Sequence, residues 1–128
     1  MLEIGNHLVK TYSVHSNQTA AALKSGSLDV LATPVLIAFM EECCFECVEP
    51  FLSESETTVG TALNVTHESP TPVGNAVKVQ CFLRAIEGKH LFFSVEASDK
   101  DGIISRGTHE RHIVNALRFQ QKCDRKKA

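Results

Sequence analysis

The chain has 128 residues, 43% hydrophobic content and a formal net charge of −2, which suits one globular domain and is short for two. So weak a charge offers no broad basic surface to nucleic acid or an anionic membrane, and no stretch approaches the ~20 apolar residues of a membrane-spanning helix. The opening MLEIGNHLVK lacks the basic start and apolar run of a signal peptide, so a cytoplasmic location is expected.

In chain order, Ile4 to Val14 alternates loosely between apolar and polar residues and reads as a first strand. Thr19 to Ala32 is rich in Ala, Ser and Leu, as expected of a short helix followed by a loop. Thr33-Pro34 then forms a strong helix start. A Thr hydroxyl accepts an orphan amide proton at the N-cap, and Pro is favoured in the first turn. The helix should run to about Glu49, where Pro50 stops it.

Projected at ~100° per residue, this helix carries an apolar stripe of Ile37, Met40, Cys44, Phe45, Val48 and Phe51. Glu41 lies near the middle of that stripe, whereas Glu42, Glu46 and Glu49 project to the other side. A carboxylate drawn out of water is costly unless it is hydrogen-bonded or paired. Glu41 therefore stands out as either a satisfied structural acid or a catalytic one. The chain holds five cysteines, three of them (Cys43, Cys44 and Cys47) on this helix. In a reducing compartment they read as small buried hydrophobes.

After the helix the pattern changes to period 2. Val59, Thr61, Leu63, Val65 and His67 share one face of a strand, and Val77, Val79, Cys81, Leu83 and Ala85 one face of the next. Leu91, Phe93, Val95 and Ala97 do so in a third, and a fourth runs from Ile103 to about Phe119. Glu87-Gly88-Lys89 and Asp99 to Gly102 have the composition of hairpin turns. Residues 1–120 form the expected domain, and the basic residues 121–128 a disordered tail. One long apolar helix beside a meander of half-buried strands has a simple solution, a sheet wrapped around the helix. The expected fold is thus α+β, of hotdog architecture. Its open edges favour pairing of two copies into a homodimer, with a tetramer as a further step.

The candidate chemistry gathers around this helix. A Glu on its apolar side and an inward His are parts suited to acid–base or nucleophilic acyl chemistry. Each also has a plainer reading: Thr33 as a helix cap, His67 as a core histidine, Gly60 as the mark of a bulge. His109-Glu-Arg-His112 lacks HExxH spacing, and on a strand its histidines face opposite ways. Cys44-Phe-Glu-Cys47 lacks the strand-to-helix setting of a redox motif. No metal or resident cofactor is expected.

Thr33-Pro-Val-Leu-Ile-Ala-Phe-Met-Glu41, Val59-Gly-Thr61, Asn64-Val-Thr-His67, Thr71-Pro-Val-Gly74 and Gly107-Thr-His-Glu-Arg111 resemble the fluoroacetyl-CoA thioesterase-like family of hotdog proteins. The likeness runs from about Leu31 to Ile113, with the motifs in family order. It implies that Thr33, Glu41 and His67 are catalytic and that Gly60 lies beside the substrate carbonyl. It also carries over a strand-end arginine, Arg111, which either neutralises an acid or contacts a phosphate of coenzyme A. Upstream the chain departs from the family, with Ala22-Leu-Lys-Ser-Gly-Ser-Leu28 in place of an aromatic-bearing lid. That departure bears on fluoroacetate selectivity, not on the reacting groups.

The implied activity is hydrolysis of a small or medium acyl-CoA to free acid and CoA, coenzyme A entering only as part of the substrate. Backbone amides near the helix start and the Thr33 hydroxyl would steady the oxyanion. Glu41 would attack directly or activate water, and His67 would orient that water or protonate the leaving thiolate. Two other readings of the same scaffold remain: a non-catalytic acyl-CoA-binding or sensing protein, and an enoyl-CoA hydratase or dehydratase.

Overall fold

A computed structural model describes residues 1–127; Ala128, the last residue of the expected tail, lies outside them. The chain begins with β1 (His7–Ser13), a 3-10 turn and a short α1 (Ala20–Leu23), then the long α2 (Thr33–Val48). Four strands follow: β2 (Glu56–Val65), β3 (Ala76–Glu87), β4 (His90–Asp99) and β5 (Gly102–Asn115), then α3 (Ala116–Asp124). The strands form one sheet in the order β1-β3-β4-β5-β2, antiparallel throughout. The sheet curls around α2, which gives the expected α+β hotdog architecture.

The start of α2 differs in one telling respect. Its N-cap is Ala32, extended at φ −69° and ψ 138°, with no side-chain cap, and Thr33 is already helical. The Thr33 hydroxyl is thus free of capping duty. Pro34 sits in the first turn, where its missing N–H costs nothing, and Pro50 ends the helix in a 3-10 turn at Glu49–Phe51.

The buried face of α2 consists of Leu36, Phe39, Met40, Cys43, Cys44, Cys47 and Val48. It is rotated from the expected stripe: Ile37 and Phe45 are only half-buried, and Phe51 is 41% exposed. The rotation follows from how the helix lies on β1 and β3. Glu42 and Glu46 border that contact and are held by β1, Glu42 by Lys10 at 3.2 Å and Tyr12 at 2.6 Å, and Glu46 by Lys10. Val77, Val79, Cys81, Leu83, Leu91, Phe93, Val95 and Ala97 meet the helix from β3 and β4. Full burial of such side chains contributes about 1.5–3 kcal/mol each. Cys43, Cys44, Cys47 and Cys81 are buried free thiols, with Cys43 Sγ 3.5 Å from Cys81 Sγ.

Two further expectations are corrected. A β-bulge between Gly60 and Ala62 breaks the even alternation of β2. Before it, Thr58 is buried and Gly60 pairs with the buried Arg111; beyond it, Leu63 pairs with the buried His109. An extra residue in one strand reverses which side chains face the core, so Val59 and Thr61 do not share the face of Leu63 and Val65. The last strand ends at Asn115, not near Phe119. There Asn115 Oδ1 accepts from the Arg118 amide at 3.0 Å and starts α3, a helix where the strand's end and part of the disordered tail were expected.

Candidate active site

Thr33 and His67 meet although they lie 34 residues apart in sequence, with Thr33 Oγ1 2.7 Å from His67 Nδ1. The short segment after β2 is pinned to β5 by Thr66 N–H to Arg106 O (3.0 Å), Glu68 N–H to Ile104 O (2.7 Å) and Ser105 Oγ to Thr66 O (2.5 Å). Glu68 adds a two-pronged ion pair to Arg106, at 2.9 and 3.1 Å. The imidazole between these anchors therefore has little freedom. Its Nε2 is buried and has no partner among the described residues. Burial holds the ring below the ordinary imidazole value, so His67 is neutral near pH 7. A cavity of about 280 Å³ opens beside the pair, lined by Ala20, Ser25, Val30, Leu31, Thr33 and His67 among others.

Glu41 belongs to a second cluster. Its side chain keeps 45% of its exposure, so it sits at the rim of the apolar face and not within it. One carboxylate oxygen lies 3.7 Å from Arg111 Nη1. It also lies 2.7 Å from where a Cβ on Gly60 would stand. A side chain larger than hydrogen at position 60 would displace the carboxylate, which explains the glycine beside the bulge.

Arg111 is 6% exposed. Its Nε–H donates to Thr58 Oγ1 at 2.8 Å and Nη2 to the Thr58 carbonyl at 3.0 Å, and Nη1 lies 3.2 Å from His109 Nε2. A guanidinium spent in this way serves the interior. Of the two roles left open for Arg111, the geometry favours facing the acid over reaching a phosphate. Thr58 was not singled out from sequence, and His109 only as half of a metal-like motif that was set aside. His109 shares its strand face with Arg111, as alternation implies, but nothing local pointed to Thr58, 53 residues from Arg111. The two histidines of the His109–His112 motif do part company: His109 is buried, while His112 lies half-exposed against His90.

Within one chain the five expected residues thus form two groups, Thr33 with His67, and Glu41 with Gly60 and Arg111. Thr33 and Glu41 stand eight positions apart on α2, a rise of ~12 Å. One antiparallel sheet curled round a long helix, with an acid at a glycine bulge and a Thr–His pair at the helix start, defines a protein of the hotdog class.

Comparison with known proteins agrees. A family model described as fluoroacetyl-CoA-specific thioesterase matches residues 14–117. The fluoroacetyl-CoA thioesterase of Streptantibioticus cattleyicolor is 38% identical over 98 residues, which cover 77% of this chain and 70% of that protein. A solved structure of a fluoroacetyl-CoA thioesterase superposes with a TM-score of 0.94 at 31% identity, over 98% of each chain. A hot-dog-like protein from Thermanaerovibrio acidaminovorans shares the fold, with a TM-score of 0.89 at 19% identity over 98% of this chain and 93% of that one. The chain belongs to the fluoroacetyl-CoA-specific thioesterase family.

Proposed function

We propose that this acyl-CoA thioesterase works as a cytoplasmic homodimer and hydrolyses a small or medium acyl-CoA, with Glu41 as its central reacting group and Thr33 and His67 beside it. The observation that carries this reading is the Glu41 carboxylate seated against Gly60 and facing Arg111. Arg111 faces the acid at 3.7 Å, and the missing Cβ of Gly60 lets the carboxylate sit against the β2 backbone, where a thioester would lie alongside it. Glu41 then attacks the carbonyl carbon or takes a proton from an attacking water. With His67 Nδ1–H donating to Thr33 Oγ1, the hydroxyl proton of Thr33 is free to bond the developing oxyanion at the start of α2. In that tautomer His67 Nε2 is a bare acceptor able to orient water. Coenzyme A leaves as a thiolate, a good leaving group that asks little of a general acid.

A dimer supplies what one chain lacks. Thr33, Ile37, Glu41 and Phe45 recur every four residues along α2 as a stripe that its own sheet leaves exposed or half-buried, and β2 is an open sheet edge. Two helices packed antiparallel about an axis near Ile37 would set the Thr33–His67 pair of one subunit against Glu41 of the other. The ~12 Å gap within the chain would then be closed between chains. The cavity beside Thr33 has no Phe, Tyr or Trp among its described lining residues and approaches the ~300 Å³ of small-molecule pockets. That supports acyl groups longer than two carbons.

The test is thiol release across a series of saturated acyl-CoA chain lengths by the wild type and Glu41→Gln. The proposal expects turnover that peaks at short to medium chains and falls at least about 100-fold in Glu41→Gln. Binding without turnover in the wild type, or near-full activity in Glu41→Gln, would overturn it.

A further inference from the structure

Beneath Glu41 lies a buried polar chain, Ala62–His109–Arg111–Thr58, whose bonding is determined almost completely. We propose that His109 is a positioning residue of this thioesterase, acting through Arg111 to hold the Glu41 carboxylate over Gly60. The inference rests on the reading of Glu41 as the reacting acid.

The tautomer of His109 is settled from both ends. Its Nδ1 lies 2.8 Å from the Ala62 carbonyl, which only accepts, so Nδ1 carries the proton. Its Nε2 lies 3.2 Å from Arg111 Nη1, which only donates, so Nε2 is an acceptor. Neither partner titrates in the ordinary pH range. The ring is 2% exposed, and Phe93 covers it at a centroid distance of 6.4 Å.

Arg111 is planar and has five N–H donors in a rigid fork. Thr58 engages Nε–H and one Nη2–H, and His109 one Nη1–H. These three bonds fix the plane of the guanidinium. The remaining Nη1 proton is left on the side of Glu41, whose oxygen is 3.7 Å away. Without His109 the two Thr58 bonds and the Phe45 ring, its centroid 5.8 Å from the guanidinium carbon, would still hold Arg111, but no hydrogen bond would remain on the Nη1 edge that faces Glu41. The β2 bulge fits this scheme: it interrupts the ladder where Ala62 turns its carbonyl to His109.

The arrangement requires a neutral His109. The charged groups facing it are Arg111 and Glu110 on β5 and Glu41 on α2. Burial, with Arg111 adding to it, holds the ring below its ordinary value. Protonation would turn the Nε2 acceptor into a donor 3.2 Å from a guanidinium nitrogen and release Arg111 from its place.

The experiment uses the full chain and measures kcat, KM and pH profile by thiol release, with thermal melts as the fold control. His109→Phe fills the volume and removes the acceptor. It is expected to lower kcat about tenfold and leave KM within about twofold. His109→Gln places an amide oxygen near the site of Nε2 and should recover most of the loss, with an acid limb of kcat flatter than that of the wild type. In a Glu41→Gln background, His109→Phe should cost nothing further in residual activity, because both act through one acid. Unchanged kcat in His109→Phe, or a loss that persists in full beside Glu41→Gln, would overturn the proposal. If His109→Phe does not fold, His109→Gln decides alone: a flattened acid limb supports the proposal and a wild-type profile overturns it. Full activity in Glu41→Gln itself would mean that the reading of Glu41 has failed, a separate result.

Discussion

Gly60→Ala tests whether the position of the Glu41 carboxylate matters, because the structure says how far it must move. The added Cβ would stand 2.7 Å from Glu41 Oε2, 3.3 Å from His109 Cε1 and 3.4 Å from Arg111 Nη1. Carbon and oxygen rest no closer than ~3.3 Å, so the carboxylate retreats by about 0.6 Å. The other two contacts are tight but tolerable, and Gly60 is not in the left-handed region, so the backbone is not strained. Misplacing a reacting group by ~1 Å costs up to ~100-fold, so a shift of about half that should cost roughly tenfold, or about 1.4 kcal/mol in the barrier. Stability should change by less than about 1 kcal/mol, a few degrees in Tm. The assay is thiol release from a short-chain acyl-CoA, with melting and size-exclusion controls. Wild-type kcat in a well-folded Gly60→Ala would refute the claim that this contact sets catalytic geometry.

The remaining predictions concern the other groups. Thr33→Ala should lower kcat at least about tenfold yet shift Tm by no more than ~2 °C, because Ala32 and not Thr33 is the N-cap; a melt lowered by several degrees with activity intact would contradict this. His67 and His109 are both held below their ordinary value of 6.5 in the folded chain. Below that value the unfolded chain therefore binds more protons. Their contribution to stability is complete above about pH 6.5 and is lost as pH falls further. Tm should accordingly drop on the acid side, and less steeply in His109→Gln; equal slopes would show that His109 is not held neutral. Of the five cysteines only Cys123 is exposed, so a thiol-exchange reagent should titrate one thiol in the native protein and five after unfolding. Several thiols reacting at once in the native state would contradict the packing of the other four between α2 and β3.

The helix that carries Glu41 was legible in the sequence because Thr33-Pro34 and Pro50 bracket it and its apolar residues repeat at helical spacing. The face it buries was less so. Helical periodicity gives the angle between residues, but the contact with β1, where Lys10 and Tyr12 take Glu42 and Glu46, sets which side turns inward. That contact leaves Glu41 at a rim. The β2 bulge was hidden for a similar reason: Val59, Thr61, Leu63 and Val65 alternate without a break, and only the pairing with β5 shows the added residue. Near the C-terminus, Ile113, Leu117 and Phe119 continue a period of 2, which masked Asn115 as the cap of α3. Among local patterns, Glu41 breaks the apolar stripe of its helix, while Thr33 and His67 stand where a helix starts and where an inward strand face ends. Thr58 and His109 break none, and their role exists only in the contacts they make with Arg111.

The central claim is that Glu41 acts on the thioester carbon. The most direct measurement is a structure of the protein with a non-hydrolysable acyl-CoA analogue, read for the distance from Glu41 Oε to the carbon that replaces the thioester carbonyl. A Glu41 oxygen within about 3.5 Å of that carbon, or of a water in contact with it, is the predicted result. A carbonyl carbon lodged more than about 7 Å from every Glu41 carboxylate in the assembly, beyond the reach of one bridging water, would contradict it.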